Sequence, residues 1–532
     1  MRRRMWLAVV LLSAVVLPAQ RASALAIEEA SIADIQAAYR EGRLSAHDVV
    51  AASLARIAAY DKKGPYINSI ITINPKALQE ADAMDARYRA TGKFIGPLHG
   101  IPVVIKDNLD AAGMPMTNGF QGWKNYYPPS DAPVVAKIKA AGGIVIAKGS
   151  LSEFAKGGGD NINSVLPGFA RNPYNTAYAT GGSSGGPAAA LASSFAVVGI
   201  GTDTGGSVRM PSAHNALVGL RPTVGLVSRT GVVPLDGVRD TAGPMARSVA
   251  DMAILLDVIA GADAQDTATA RSKGHIPQSY LPYLRKDGLK GTRLGVLRQV
   301  FTASVTDPLI LAHFEKTLSE LREAGAEIVD PFVVPELDTL PRAPQTGAQF
   351  KTDLTRWISQ HPGVPYPSLK EIAASKLVHP LHQSSFDEAV DALPADQDPQ
   401  TIEGRKNEES HRQAFMKAMD AAHVDAVIFP TWAQLPAVNG DRNTQIADDP
   451  QPAPHAHPTH LGASLTYIGS TLQWPALSVP NGYLGEGLPV GLQILGRAWD
   501  EGRIIQYAYA YEQATHYRRP PPTVPPLGPA QH

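Results

Sequence analysis

Along residues 31–40 and 46–60, apolar side chains recur every three or four positions (Ile32 and Ile35, then Val49, Val50, Leu54 and Ile57). That spacing predicts two amphipathic helices, with Ser45 placed to cap the second. The β-branched stretch 67–73 predicts a strand, and 75–91 returns to helical spacing with alanine and methionine on one face. Ile101, Val103, Val104 and Ile105 form an apolar run punctuated by glycine and proline, the pattern of a strand buried on both faces. Helical spacing at 132–141 and an apolar strand at 143–148 follow. Further strands are predicted at 195–200, 294–297 and 424–429, and a helix at 249–261. This alternation predicts an α/β protein whose sheet is covered by helices on both faces. No internal repeat interrupts it.

Composition and charge refine that picture. The chain has 532 residues, which at about 150 per domain leaves room for three domains. Residues 1–26 read as a signal peptide. Arg2, Arg3 and Arg4 precede an apolar stretch from Met5 to Leu17, and both Ala22-Ser23-Ala24 and Ala24-Leu25-Ala26 fit a cleavage site. The stretch is short for a membrane span. An exported protein, periplasmic or secreted, with no stable membrane insertion after signal removal is therefore expected. The absence of cysteine removes disulfides, thiolate nucleophiles and cysteine metal sites. A net charge of −1 gives no footprint for nucleic acid. Residues 335–415 mix helical fragments with Pro, Gln and Asp and read as an elaboration near the substrate site or as outer padding. The proline-rich end, 516–532, reads as a flexible extended tail.

The chemistry gathers in three places. Lys106 ends the apolar strand, where burial would lower its pKa and make a base of it. Asp107 would oppose that only if it faced the same way, and neighbours on a strand point to opposite faces. Ser183 and Ser184 lie on the loop Gly181–Gly186, ahead of Pro187 at the first turn of an alanine-rich helix. No lysine follows as a phosphate loop requires. Ser207 follows Asp203-Thr204-Gly205-Gly206, a turn able to present a hydroxyl together with several backbone amides. Two serines and a buried lysine point to acyl transfer by a Ser-Ser-Lys relay. Residues 182–186 also fit G-x-S-x-G with Ser184 as nucleophile, although a loop rather than a strand precedes them. His455, His457 and His460 share one proline-flanked loop, which reads as surface or pocket rim; no metal or cofactor is expected.

On these residues the chain resembles the amidase signature family. Gly100-Ile101-Pro102 leading to Lys106-Asp107-Asn108, the loop 181–186, and 201–209 carry the resemblance, with 219–225, 240–247, 429–431 and 487–493 continuing it in order. The resemblance implies one large domain over 27–515, a mixed twisted central sheet under helices on both faces. It implies Lys106 as base, Ser183 as bridge after a cis peptide bond, and Ser207 as nucleophile. The backbone amides of Thr204, Gly205, Gly206 and Ser207 would form the oxyanion hole. Arg209 is expected to brace the nucleophile loop through an internal ion pair. Gln473 and Trp474 depart from the family pattern where relatives line the pocket, and are candidate substrate contacts. Residues 160–178 resemble exported bacterial peptide amidases. The implied substrate is a small aryl or aliphatic amide or a peptide C-terminal amide. A carbamate or ester hydrolase is the alternative on the same relay, and a non-catalytic or complex-bound subunit is the alternative of another class. Beyond substrate, the expected partner is at most a second copy of the chain, a homodimer.

Overall fold

Eleven strands form one sheet in the computed structural model, which describes residues 27–156, 164, 166, 168–337, 339, 347–439 and 465–527. In chain order they are β1 (Ile70–Ile73), β2 (Pro102–Lys106), β3 (Ile144–Gly149), β4 (Val198–Asp203), β5 (Val218–Arg221) and β6 (Thr241–Ala246). There follow β7 (Arg293–Val296), β8 (Glu327–Val329), β9 (Ala426–Pro430), β10 (Ala476–Leu484) and β11 (Leu488–Leu495). Their order in the sheet is β1-β3-β2-β4-β6-β5-β10-β11-β9-β7-β8. The block β3-β2-β4 is parallel, as is β9-β7-β8, and the strands between pair antiparallel. The chain is thus a single large α/β domain with a mixed sheet, and not three domains.

The helices expected at the start form as Ile32–Arg40 and Ala46–Tyr60. Ser31 with Asp34, and Ser45 with Asp48, close reciprocal capping boxes. The strand expected at 67–73 is shorter because Asn68 takes a left-handed φ of 57°, which delays extended backbone until Ile70. The helix Gly185–Ala192 is buried along its whole length against β2, β3 and β4. Only small residues fit there: a side chain at Gly186 would stand 2.3 Å from the Ser150 amide.

Residues 335–415 are more than outer padding. The helices Gly347–Gln360, Leu369–Ala374 and Pro380–Asp391 build a second apolar core with Phe120, Trp123 and Phe154. Trp123 stacks on Trp357 with centroids 5.5 Å apart. Phe120 and Trp123 lie on the loop leaving β2, and Phe154 on the one leaving β3, so this core covers the end of the sheet at which Lys106 stands. The next helix, Pro399–Ala421, runs past the expected boundary.

The proline-rich segment corrects the expectation of a flexible tail. Over 516–527 it has no helix or strand and turns at Pro522–Thr523, but it is held. Arg518 makes a two-pronged pair with Glu29 at 2.7 and 2.8 Å, and Val524 is only 3% exposed. Extended proline-rich backbone pairs none of its own carbonyls. Those of Val524 and Pro525 instead accept from buried Arg56 at 2.8 and 3.1 Å. The expected leader, 1–26, and the histidine loop at 455–460 lie outside the described residues. No helix among the described residues is long and apolar enough to cross a membrane.

Ending the chain at Thr515 removes these carbonyls and the Arg518–Glu29 pair, leaving part of the Arg56 guanidinium without acceptors. The expected loss is about 3 kcal/mol or more in urea unfolding; an unchanged midpoint would show the segment to be a passive tail.

Candidate active site

β2 runs between β3 and β4, so the side chains near its end are covered from both sides. Lys106 is 0% exposed, and its Nζ donates to Ser183 Oγ at 2.7 Å and to Thr202 Oγ1 at 2.8 Å. Asn108 donates to the same threonine hydroxyl at 3.0 Å. Burial pulls the lysine down to about 7, against the opposing pull of the Asp240 and Asp203 carboxylates. Asp107 points away, as strand alternation requires: its Oδ1 lies 2.8 Å from Lys148 Nζ. The neighbouring carboxylate is therefore neutralised elsewhere, and Lys106 keeps a basic amine at neutral pH.

Ser183 is 2% exposed and follows a cis Gly182–Ser183 peptide. Ser184 has a different task. Its hydroxyl donates to the Thr202 carbonyl and accepts from the Thr202 amide, both at 3.2 Å, pinning the loop to β4. Both of those roles tie Ser184 to backbone. The Ser184 amide donates to the Ser207 carbonyl at 3.1 Å, which joins the two serine loops.

The second loop turns around Asp203. Its carboxylate accepts from the amides of Gly206 at 2.9 Å and Val208 at 3.1 Å. It also accepts from Arg209 at 3.0 and 3.1 Å and from Arg221 at 2.9 Å. Burial would raise this acid, but the two guanidiniums and the amide donors reverse that and hold it well below the ordinary carboxylate range. Arg209 braces the loop as expected, and reaches Ser470 Oγ and Gln493 Oε1, each at 3.0 Å. The Gly206 φ of 128° is open to glycine, and a side chain there would collide with Thr466. Ser207 itself is partly exposed, and among the described residues its hydroxyl has no hydrogen-bond partner.

Two expectations need correction. The Gly206 amide, counted among the four oxyanion donors, is already committed to Asp203. Trp474 is 4% exposed and packs in the main core, edge to face with Phe415 at 6.4 Å. Gln473 ends the helix Tyr467–Leu472 with a left-handed φ of 58° and donates to Glu408 at 3.4 Å. Among the described residues no hydrogen bond links either residue to Lys106 or Ser183. Conversely, Thr202, Ser470, Gln493 and Arg221 belong to this polar cluster although the sequence predicted no role for them. Thr202, Gln493 and Arg221 lie inside the motif segments, but their type and spacing say nothing of which atom they would meet. Among the described residues no group of three or more His, Asp or Glu is placed to hold a metal ion.

Against known proteins, the Amidase family matches residues 48–505. The peptide amidase of Stenotrophomonas maltophilia superposes with a TM-score of 0.81 at 37% identity, covering 93% of this chain and 98% of that one. A glutamyl-tRNA(Gln) amidotransferase subunit from Thermotoga maritima gives a TM-score of 0.71 at 25% identity, covering 95% and 99%. The protein of that same name from Synechococcus sp. strain JA-3-3Ab is 35% identical over 507 residues, 92% of this chain and 93% of its own. Because the family match takes in every strand of the sheet together with Lys106 and both serine loops, the chain belongs to the amidase signature family and is an amidohydrolase.

Proposed function

We propose that the enzyme hydrolyses the C-terminal amide of peptides, or a small aryl or aliphatic amide, through a Ser-Ser-Lys relay and an acyl-enzyme. One observation carries the relay: a fully buried lysine, near 7, donates at 2.7 Å to a serine hydroxyl on a loop joined to that of Ser207. Neutral Lys106 takes a proton from Ser183 as Ser183 takes one from Ser207. Ser207 Oγ then bonds to the amide carbon. The amides of Thr204, Gly205 and Ser207 hold the oxyanion, with Gly206 shaping the turn instead. The carbon–nitrogen bond breaks as the proton returns through Ser183 to the leaving amine. Water, giving up its proton along the same path, releases the acid and restores Ser207.

Two observations favour a free-standing amidase over one component of a larger complex. The peptide amidase has a higher identity and TM-score than the Thermotoga protein. The basic, apolar and small-residue pattern of 1–26 supports export to the periplasm or medium. Ester or carbamate cleavage by the same acyl-enzyme is the second chemistry this relay would support.

Ser207→Ala is expected to remove turnover of a peptide amide, by about 10⁴-fold or more. Ser184→Ala should keep most of the activity while costing about 1 kcal/mol in stability; the reverse pattern would restore Ser184 as nucleophile. Since the relay needs the uncharged amine, kcat/KM should rise with pH through about 7, and a flat profile from pH 5 to 9 would remove Lys106 as the base. Purified alone, the protein should release ammonia from a peptide amide and leave internal peptide bonds intact. Failure on every amide, ester and carbamate without an added partner would favour the complex-bound reading.

A further inference from the structure

Gly205 and Gly206 have no side chains of their own, so the oxyanion loop is aimed by its neighbours. The peptide between the two glycines is held at both ends, its carbonyl accepting from Thr466 Oγ1 at 2.7 Å and its amide donating to Asp203 at 2.9 Å. The residue that leads into it, Thr204, is held separately: its hydroxyl donates to Asp240 Oδ1 at 2.5 Å. Asp240 stands just before β6, the antiparallel neighbour of β4. Its Oδ2 accepts from the amides of Leu235 at 2.8 Å and Asp236 at 3.0 Å. The carboxyl is buried, and among the described residues no basic side chain bonds to it directly. A buried carboxyl without a bonded cation is costly to keep. Its bonds go only to its own loop and to Thr204.

We propose that Asp240 is a positioning residue of this site: it fixes the oxyanion loop through the Thr204 hydroxyl. The inference rests on the relay reading above. Asp240 is the foremost carboxylate favouring the charged form of Lys106, ahead of Asp203. The other groups acting around it are Asp236 on its own loop, Arg221 on β5 and Arg229 on the loop beyond β5. Burial and then Asp236 push Asp240 up to about 7. The Thr204 link survives its titration. As an anion Asp240 accepts the threonine proton at Oδ1. When protonated it must carry the hydrogen on Oδ1, because Oδ2 is committed to two amides, and it then donates to Thr204 Oγ1.

The sign for Lys106 follows from removing a negative charge: the ammonium loses support and the amine is freed at lower pH. Asp240→Asn can bond at both ends without the charge, its oxygen toward the two amides and its NH₂ toward Thr204. It should move the acid limb of kcat/KM to lower pH by on the order of one unit. Thr204→Val should lower kcat about 10- to 100-fold with KM little changed, and Thr204→Ser should recover most of that loss. An acid limb left in place by Asp240→Asn, or equal losses from the valine and serine variants, would overturn the assignment. If Asp240→Asn fails to fold, the Thr204 pair decides. Ser207→Ala tests the relay separately: if it stays active the underlying reading falls, whereas its inactivity beside an unmoved acid limb counts against Asp240 alone.

Discussion

A single buried carboxylate, Asp203, holds four distant stretches of chain in one place. It ends β4, turns the Ser207 loop by accepting the Gly206 and Val208 amides, and pairs with Arg209 and Arg221. Through Arg209 it reaches Ser470 and Gln493 on β11. Through Arg221 it reaches the carbonyl of Arg239, one residue before Asp240. Ions this far from water are tolerable only when their remaining hydrogen-bonding positions are filled. That requirement makes the cluster close to all-or-none: each partner is buried because the others are present.

Lys106 depends on the same exclusion of water in the opposite sense. Asp203 is kept charged by its partners, whereas burial lowers Lys106, whose amine meets hydroxyls and no carboxylate directly. Strand alternation separates the two chemistries at adjacent positions, sending Lys106 toward Ser183 and Asp107 toward Lys148. The size of the protein serves this arrangement. An alanine-rich helix lies flat on β2, β3 and β4, and an aromatic second core closes over the loops leaving β2 and β3. The clasp of Arg56 and Arg518 secures the other end of that helix by binding the carbonyls of Ser193 and Ala192.

Much of this was legible in the chain. Capping boxes, the apolar strands and the lysine at a strand end are local patterns, each set by residues within a few positions of one another. The strands β5, β6, β10 and β11 were harder to see. Their glycine and proline content (Gly219, Gly243, Pro244, Pro480, Gly491) disguises them, and neighbouring strands and close helix packing decide their conformation. Trp474 shows the limit at the site. Its departure from the family pattern drew attention to it as a substrate contact, whereas packing against Phe415 makes it core.

By itself, then, the sequence determined the α/β class, the helices and strands of the first half of the sheet, and the candidate side chains Lys106, Ser183 and Ser207, because these depend on periodicity, residue type and motif. The resemblance pointed to Ser183 over Ser184, but only the tertiary structure shows what each serine meets, that the Gly206 amide is committed to Asp203, and what holds the proline-rich end. Ser183 and Ser184 are adjacent and chemically identical, and they differ in what lies opposite each: a lysine amine or the backbone of Thr202. Hydrogen bonds and burial are properties of pairs brought together across 77 or 18 residues of chain, and that pairing exists only once the sheet has closed.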